Sequence, residues 1–363
     1  MVVPVERAAG HILAQDLRDP QGRVLLAAGV AITPRYADRL RSLGWLEVPI
    51  QGPRLGEDAG RAAVEGETAQ RAVLALHKAF TSYRNERWLN TAALRSVVDR
   101  IIAELRRSGP VLHHLEILHS YDNQVFHHCT NVSAVSTLVG MAHGIAPRDL
   151  PVLGLAGLLH DVGKLKLPSA LLNKLEPLTP EEMQLMRRHS EWGAEIAQEA
   201  KLDQRVVDCI LQHHERLDGS GYPQGRAGSQ IGPLARTVGV ADAFCAMAAD
   251  HLYRRRVSPR EAVDTIRTDG GYDREVLQAL LRSVALYPNG TFVRVTGWRL
   301  AVVLRQTRDP FLPMLRLLTD ADGTALHGKP VRLTPDLPGG PNAILDLVPP
   351  EEALEVLPPQ LRG

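Results

Sequence analysis

The amino-acid sequence predicts a mainly α protein, a helical bundle flanked by small β-rich segments on both sides. Three observations predict it. Apolar residues recur at helical spacing from about residue 61 to 285. The period then changes, and residues 291–296, 299–306 and 314–318 alternate or run apolar like strands. Residues 1–50 carry turn signals between short apolar runs.

Taken in order, Ile12-Leu13, the turn Asp19-Pro20-Gln21-Gly22 and Val24-Leu25-Leu26 read as a hairpin with a longer loop. Thr33-Pro34 starts a helix that should end at Gly44. Together, residues 1–50 form a small β-rich accessory module, and 51–60 (QGPRLGEDAG) a Gly-rich linker. Residues 61–108 read as two helices, with Val73, Leu76, Phe80 and Tyr83 on one face and Leu94, Val97, Val98 and Ile101 on another. They form a connecting or dimerisation segment that packs on the bundle or on a second subunit. Residues 109–287 form the main bundle. Helices are expected at about 123–143, 151–163, from Thr179 onward, and at about 203–214, 233–250, 258–268 and 273–285. Thr179 caps its helix, and Glu181 and Glu182 suit the positive end of the helix dipole. Residues 288–334 form a β-rich segment with a turn at Asp320–Gly323. The final stretch, 335–363, contains seven prolines and is expected to be an extended tail.

The composition excludes several classes. With 44% hydrophobic and 23% charged residues the chain is an ordinary globular protein. A net charge of +1 supplies no field to gather a nucleic-acid polymer. No secretory signal and no membrane-length apolar run is seen, which points to a cytoplasmic protein. Cys129, Cys209 and Cys245 are widely separated, so they read as reduced thiols, and a thiolate zinc site is not expected.

Histidine is the anomaly, since 10 of the 14 lie between His113 and His214. In Leu158-Leu159-His160-Asp161-Val162-Gly163-Lys164 an imidazole and a carboxylate leave the end of an apolar helix side by side. The two oxygens of Asp161 could bridge two metal ions. Lys164 follows one turn later, where an ammonium could hold a phosphate oxygen. Taken alone, a polar helix C-terminus accounts for this pair equally well. His128 shares a face with Val132, Val135 and Val139 and points to the core. Alone, it reads more readily as a structural histidine, and His189 is weaker still. His213 and His214 diverge by about 100° if helical, so both reach one ion only if the helix ends there. Asp242, inside an apolar helix, needs a partner. Jointly these residues form an oxygen and nitrogen ligand set without thiolate, suited to Mn, Fe, Co, Ni or Zn, with Fe or Mn preferred.

His128, His160-Asp161, Lys164, His189, His213-His214, Gly219-Ser220-Gly221-Tyr222-Pro223 and Asp242, in this order, resemble the HD-GYP family of cyclic dinucleotide phosphodiesterases, a subgroup of the HD phosphohydrolase superfamily. The resemblance covers about residues 110–290. It implies an HD-type helical bundle as the catalytic domain, in which His128, His160, Asp161 and Asp242 hold one metal. Asp161 then bridges to a second metal held by His189, His213 and His214. Lys164 contacts the substrate phosphate or assists the leaving group, making Asp161 and Lys164 the catalytic pair. Tyr222, on a Gly-rich loop, faces the substrate or a signalling protein partner. A plain helix-to-helix turn explains that loop equally well.

Two departures carry consequences. Gln124 stands one turn before His128, where some members carry a Glu that binds a third metal, so two divalent ions are expected. The family usually reads Asp-Arg-Pro-Tyr-Arg where this chain reads Asp250-His251-Leu252-Tyr253-Arg254. Imidazole does not reproduce bidentate guanidinium contacts. His251 should therefore weaken phosphate binding, with Arg254 the nearest basic substitute. The implied activity is metal-assisted hydrolysis of cyclic di-GMP to linear pGpG and onward to GMP. The alternatives are a phosphodiesterase for another cyclic dinucleotide, such as 3′,3′-cyclic GMP-AMP, and a low-turnover cyclic di-GMP sensor or scaffold, which the His251 replacement motivates. A homodimer is the expected assembly.

Overall fold

Local chemistry places the helix starts. The Thr33 side chain accepts a hydrogen bond from the Tyr36 amide, and Pro34 occupies the first turn. At Thr179 a full capping box forms with Glu182, and Ser258 forms another with Glu261. The computed structural model describes residues 2–19, 23–45, 47–50, 64, 66–108, 124–172, 174, 176–248, 257–307, 309–326, 331–332 and 344–357.

In chain order, β1 (Val2–Pro4), β2 (Leu17–Arg18), β3 (Val24–Leu26), α1 (Pro34–Ser42) and β4 (Glu47–Pro49) come first. The helices α2 (Gly66–Glu86), α3 (Thr91–Ser108), α4 (Gln124–His143), α5 (Leu150–Leu159), α6 (Ser169–Leu172) and α7 (Pro180–Arg187) follow. Then come α8 (His189–Glu199), α9 (Gln204–Gln212), α10 (Pro233–Ala248), α11 (Pro259–Asp269) and α12 (Arg274–Ser283). Last are β5 (Phe292–Val295), β6 (Trp298–Arg305), β7 (Met314–Thr319), β8 (Val331–Arg332), β9 (Ile344–Val348) and α13 (Pro350–Val356). The fold is mainly α, as the sequence predicts.

The residues form two compact units. One draws on Met1–Arg61 and Ala285–Gly363, the other on Ala62–Leu118 and Val125–Val284. In the first, β1 pairs antiparallel with β4 and β2 with β3. The hairpin thus forms, but its first strand is Leu17–Arg18 and not Ile12-Leu13. Asp19 explains the shift: its amide donates to the Arg23 carbonyl, and its carboxylate accepts from the Arg23 amide, so pairing begins directly at residues 17–18. Ile12 and Leu13 make single bridges to Ala31 and Ile50, and Leu13 is fully buried.

The same unit contains a five-stranded antiparallel sheet in the order β8-β7-β6-β5-β9. The expected extended tail is therefore corrected over 344–357. Its proline content masks the apolar run Ile344-Leu345-Asp346-Leu347-Val348, which pairs with β5. The α13 helix then buries Ala353 and Leu357 against Phe292, Leu300 and Val302, and also contacts β1.

In the helical unit α2 and α3 pair, and α3 packs on α5. Tyr83 Oη donates to Glu199 at 2.9 Å, tying α2 to α8. These helices pack on the bundle, one of the two partners expected for residues 61–108. The α5 helix is apolar all round, with every residue from Val152 to Leu159 buried, which marks it as the central helix. It stops at Leu159, earlier than expected, and a 3₁₀ turn runs over Val162–Lys166. The helix starting at Thr179 is interrupted at Arg188, which closes α7 and caps α8. No described helix is long and apolar enough to cross a membrane.

Candidate metal centre

Five segments of the helical unit deliver the site. His128 comes from α4, His160 and Asp161 from the end of α5, and His189 from the start of α8. His213 and His214 lie just past α9, which ends at Gln212, and Asp242 lies mid-way along α10. The stop at Gln212 meets the condition for both adjacent histidines to face one place. The α9 helix packs against α5, α8 and α10.

Three histidines share one local device. The Nδ1 atoms of His160, His189 and His213 lie 2.9, 2.8 and 2.7 Å from the carbonyls of Gly157, Met186 and Ile210, each three residues earlier. A carbonyl only accepts, so each Nδ1 carries the proton; His189 and His213, which burial keeps neutral, turn a lone pair at Nε2 inward, and His160 would do so where a cation replaces the proton that Asp161 and Asp242 hold there. Nε2 of His189 then lies 3.3 Å from that of His213 and 3.2 Å from that of His214. Between His189 and His213 two lone pairs face each other with no proton between them. His160 Nε2 is buried without a hydrogen-bond partner. Buried acceptors of this kind are costly unless something electropositive sits among them. The residues therefore fit a divalent cation.

The carboxylates divide the site. Asp161 Oδ2 lies 3.4 Å from His160 Nε2, and Oδ1 lies 3.5 Å from His189 Nε2. Asp242 Oδ1 lies 2.9 Å from His128 Nε2 and 3.5 Å from His160 Nε2. Two ligand groups result, His128–His160–Asp242 and His189–His213–His214, with Asp161 between them. All seven sequence-predicted ligands come together. Lys164 joins them through Asp161, its Nζ 2.6 Å from Oδ2.

Charges follow the same arrangement. Burial opposes ionisation of Asp161, but Lys164, His160 and His189 outweigh it and hold the carboxyl well below the usual range. Asp242 is likewise held low, against burial, by His128 and His160. Burial pushes His213 well below the ordinary histidine value, lowers His189, and takes His214 down to about 3. Against its burial, His160 is raised to about 10 by Asp161 and Asp242. Metal-free protein should therefore lose stability as pH falls below about 6.5, the unfolded histidine value. There the unfolded chain takes up protons that buried His189, His213 and His214 refuse. His160 adds stability below about pH 6.5 that is lost as pH rises through about 10. Thermal unfolding of metal-free protein between pH 6.5 and 5, where the His160 contribution no longer changes, checks the first sign, and a flat or rising Tm on acidification there would contradict it.

Tyr222 stacks on His214 with centroids 4.6 Å apart. The Gly219–Pro223 loop is thus a wall of the site and not a remote turn. Its approach requires glycine at 221, where a Cβ would lie 2.4 Å from the Arg216 amide and 2.5 Å from the His214 carbonyl. Glu215, directly after the histidine pair, is a residue that sequence reasoning missed. The structure shows it buried, its two oxygens accepting the Gln224 and Arg226 amides at 2.8 and 2.9 Å. We expect Glu215→Ala to destabilise the protein by about 2–4 kcal/mol through two lost charge-assisted bonds, measured by urea unfolding. An unchanged urea midpoint would show that the loop stands without this anchor. Cys129, set aside with the other thiols, lies beside His160 and Asp161, and burial keeps it protonated. Arg187, also missed, places its guanidinium 5.0 Å from the Tyr222 ring centroid. A cation two residues before a ligand histidine was its only sequence signal. His251, Arg254 and the side chain of Gln124 lie outside the described residues.

Residues 111–276 match the family described as HD domain. Cyclic di-GMP phosphodiesterase PA4108 of Pseudomonas aeruginosa is 35% identical over 269 residues, 71% of this chain and 64% of that protein. The cyclic di-GMP phosphodiesterase response regulator RpfG of Xanthomonas campestris is 35% identical over 158 residues, 42% of each chain. The 3′3′-cGAMP-specific phosphodiesterase 1 of Vibrio cholerae is 32% identical over 165 residues, 45% of this chain and 38% of that protein. The chain thus spans less than two thirds of the length of each. Among solved structures, Bd1817, an HDG"Y"P protein from Bdellovibrio bacteriovorus, shares the fold, with a TM-score of 0.51 at 20% identity over 77% of this chain and 97% of that one. Over residues 111–276 the helical unit therefore matches the HD domain, and the chain is similar to cyclic dinucleotide phosphodiesterases that carry it.

Proposed function

We propose that the chain is a divalent-metal-dependent phosphodiesterase that opens cyclic di-GMP to linear pGpG, holding two ions, iron or manganese. One observation carries this reading: the two oxygens of Asp161 are divided between two separate histidine groups. The names of relatives such as PA4108 support the substrate class. His128, His160, Asp161 and Asp242 would hold one ion, and Asp161, His189, His213 and His214 the other. Divalent ions held there supply Lewis-acid charge to a phosphoryl oxygen and acidify water.

The chain's own residues do the rest. Backbone carbonyls fix the tautomers of His160, His189 and His213 before any substrate arrives. Lys164 holds a proton at Nζ: burial opposes that charge, but Asp161 and Asp242 together outweigh it. This ammonium offsets charge on a phosphoryl or leaving 3′ oxygen. Tyr222 supplies an aromatic wall for the substrate, and its loop a surface for a signalling partner. His251 and Arg254 are assigned to phosphate binding from the sequence alone. A cytoplasmic homodimer completes the reading.

Anaerobic purification, metal analysis and turnover of cyclic di-GMP and 3′,3′-cyclic GMP-AMP in one preparation test it. We expect about two ions per chain and faster cleavage of cyclic di-GMP. Faster cleavage of the mixed dinucleotide would move the substrate, as the relative in Vibrio cholerae illustrates. Metal-loaded protein that binds cyclic di-GMP without cleaving it would leave a sensor.

A further inference from the structure

The metal centre faces one phosphodiester, yet a cyclic dinucleotide carries two. The second lies across the ring from the scissile bond and needs its own counter-charge. The described cations around the site differ in what already engages them. Lys164 is bound to Asp161 at 2.6 Å. Arg188 pairs with Glu191 at 3.7 Å and stacks on Trp192, with 4.6 Å to the ring centroid. Arg216 stacks on Tyr272 at 4.1 Å and donates to its hydroxyl. Arg187 is exposed and has no carboxylate partner among the described residues. Its guanidinium rests on Tyr222, which in turn stacks on the ligand His214.

The backbone around Arg187 is pinned to the metal centre from both sides. The Met186 carbonyl accepts from His189 Nδ1, and the Arg187 carbonyl accepts from Ser190 Oγ at 3.1 Å. The backbone under Arg187 is thus held at a fixed offset from His189, with the guanidinium 5.0 Å from the Tyr222 ring centroid. An aromatic seat orients a guanidinium while leaving its N–H groups free to donate. A planar fork of donors with no carboxylate on it suits a phosphodiester oxygen pair.

Resting on the phosphodiesterase reading above, we propose that Arg187, seated on Tyr222, binds the non-scissile phosphodiester of a cyclic dinucleotide and positions the other at the metal centre. It is a positioning residue whose effect falls on substrates with two phosphodiesters.

The test compares wild type, Arg187→Ala and Arg187→Lys on cyclic di-GMP and on bis(p-nitrophenyl) phosphate, which has one diester, with metal content measured in each preparation. For Arg187→Ala we expect kcat/KM on cyclic di-GMP to fall roughly ten- to a hundred-fold, mostly through KM. That loss should exceed the loss on the single diester by about ten-fold or more. Arg187→Lys should recover part of it, because charge returns without the fork. Equal losses on both substrates, or loss of metal, would make Arg187 a structural support and overturn the proposal. No loss on cyclic di-GMP would overturn it too. Wild type that cleaves the single diester but no cyclic dinucleotide would instead sink the substrate reading, and this proposal with it.

Discussion

Asp161→Ala should empty the metal centre and abolish turnover together. Its two oxygens lie between the histidine groups, 3.4 Å from His160 on one side and 3.5 Å from His189 on the other. Its removal leaves His160 and His189 without the carboxylate between them. Loss of one preorganised electrostatic contact costs roughly a hundred- to a thousand-fold in rate, and loss of the ions costs more. We therefore expect phosphodiester cleavage to fall by at least about a thousand-fold, with metal content well under that of wild type. Lys164→Ala is the contrast. It removes a charge beside Asp161 and leaves every ligand side chain in place, so metal should stay and rate should fall. Metal analysis by mass spectrometry beside single-turnover kinetics separates the two. A Lys164→Ala protein with an empty site would show that the lysine maintains the bridging carboxylate and does not act on substrate.

Gly163→Ala should unfold the site mechanically. A Cβ at 163 would stand 1.8 Å from the His189 carbonyl oxygen and 2.5 Å from the Gly193 amide. Both are backbone atoms of α8, so no side chain can swing aside. The 3₁₀ turn and α8 would have to part, moving His189 from Asp161. Overpacking against fixed atoms costs roughly 3 kcal/mol or more. In a unit of this size that lowers Tm by roughly 6–12 °C. Calorimetry on metal-free protein measures it apart from metal loss. A variant melting within about 2 °C of wild type would show that the two segments separate at little cost.

Much of the site was legible because metal ligands are chemically unusual. A histidine on a valine face, an aspartate inside an apolar helix and a His-His pair at a helix end each contradict ordinary packing. The spacing could not reveal how Asp161 divides its oxygens, since that depends on how α8 packs against the 3₁₀ turn after α5. Arg187 and Glu215 were illegible for a different reason. An exposed arginine and a glutamate beside a loop are commonplace in sequence, and their roles come from the Tyr222 ring and from amides nine and eleven residues downstream. In the fold, helix starts followed from caps that act within four residues. Strand β9 did not, because proline around it outweighed five residues whose partner, β5, lies far back in the sequence.

The contact of α13 with β1 has a consequence for biosynthesis. β1 leaves the ribosome before the whole helical unit, and α13 after it. At about 5–20 residues per second, the first strand waits on the order of tens of seconds for its last partner. The helical unit, whose segments emerge consecutively, can form during that interval. The sheet unit cannot close until β9 and α13 are released. A ribosome stalled just before residue 344 should thus present a nascent chain with a protease-resistant helical unit between two protease-sensitive flanks.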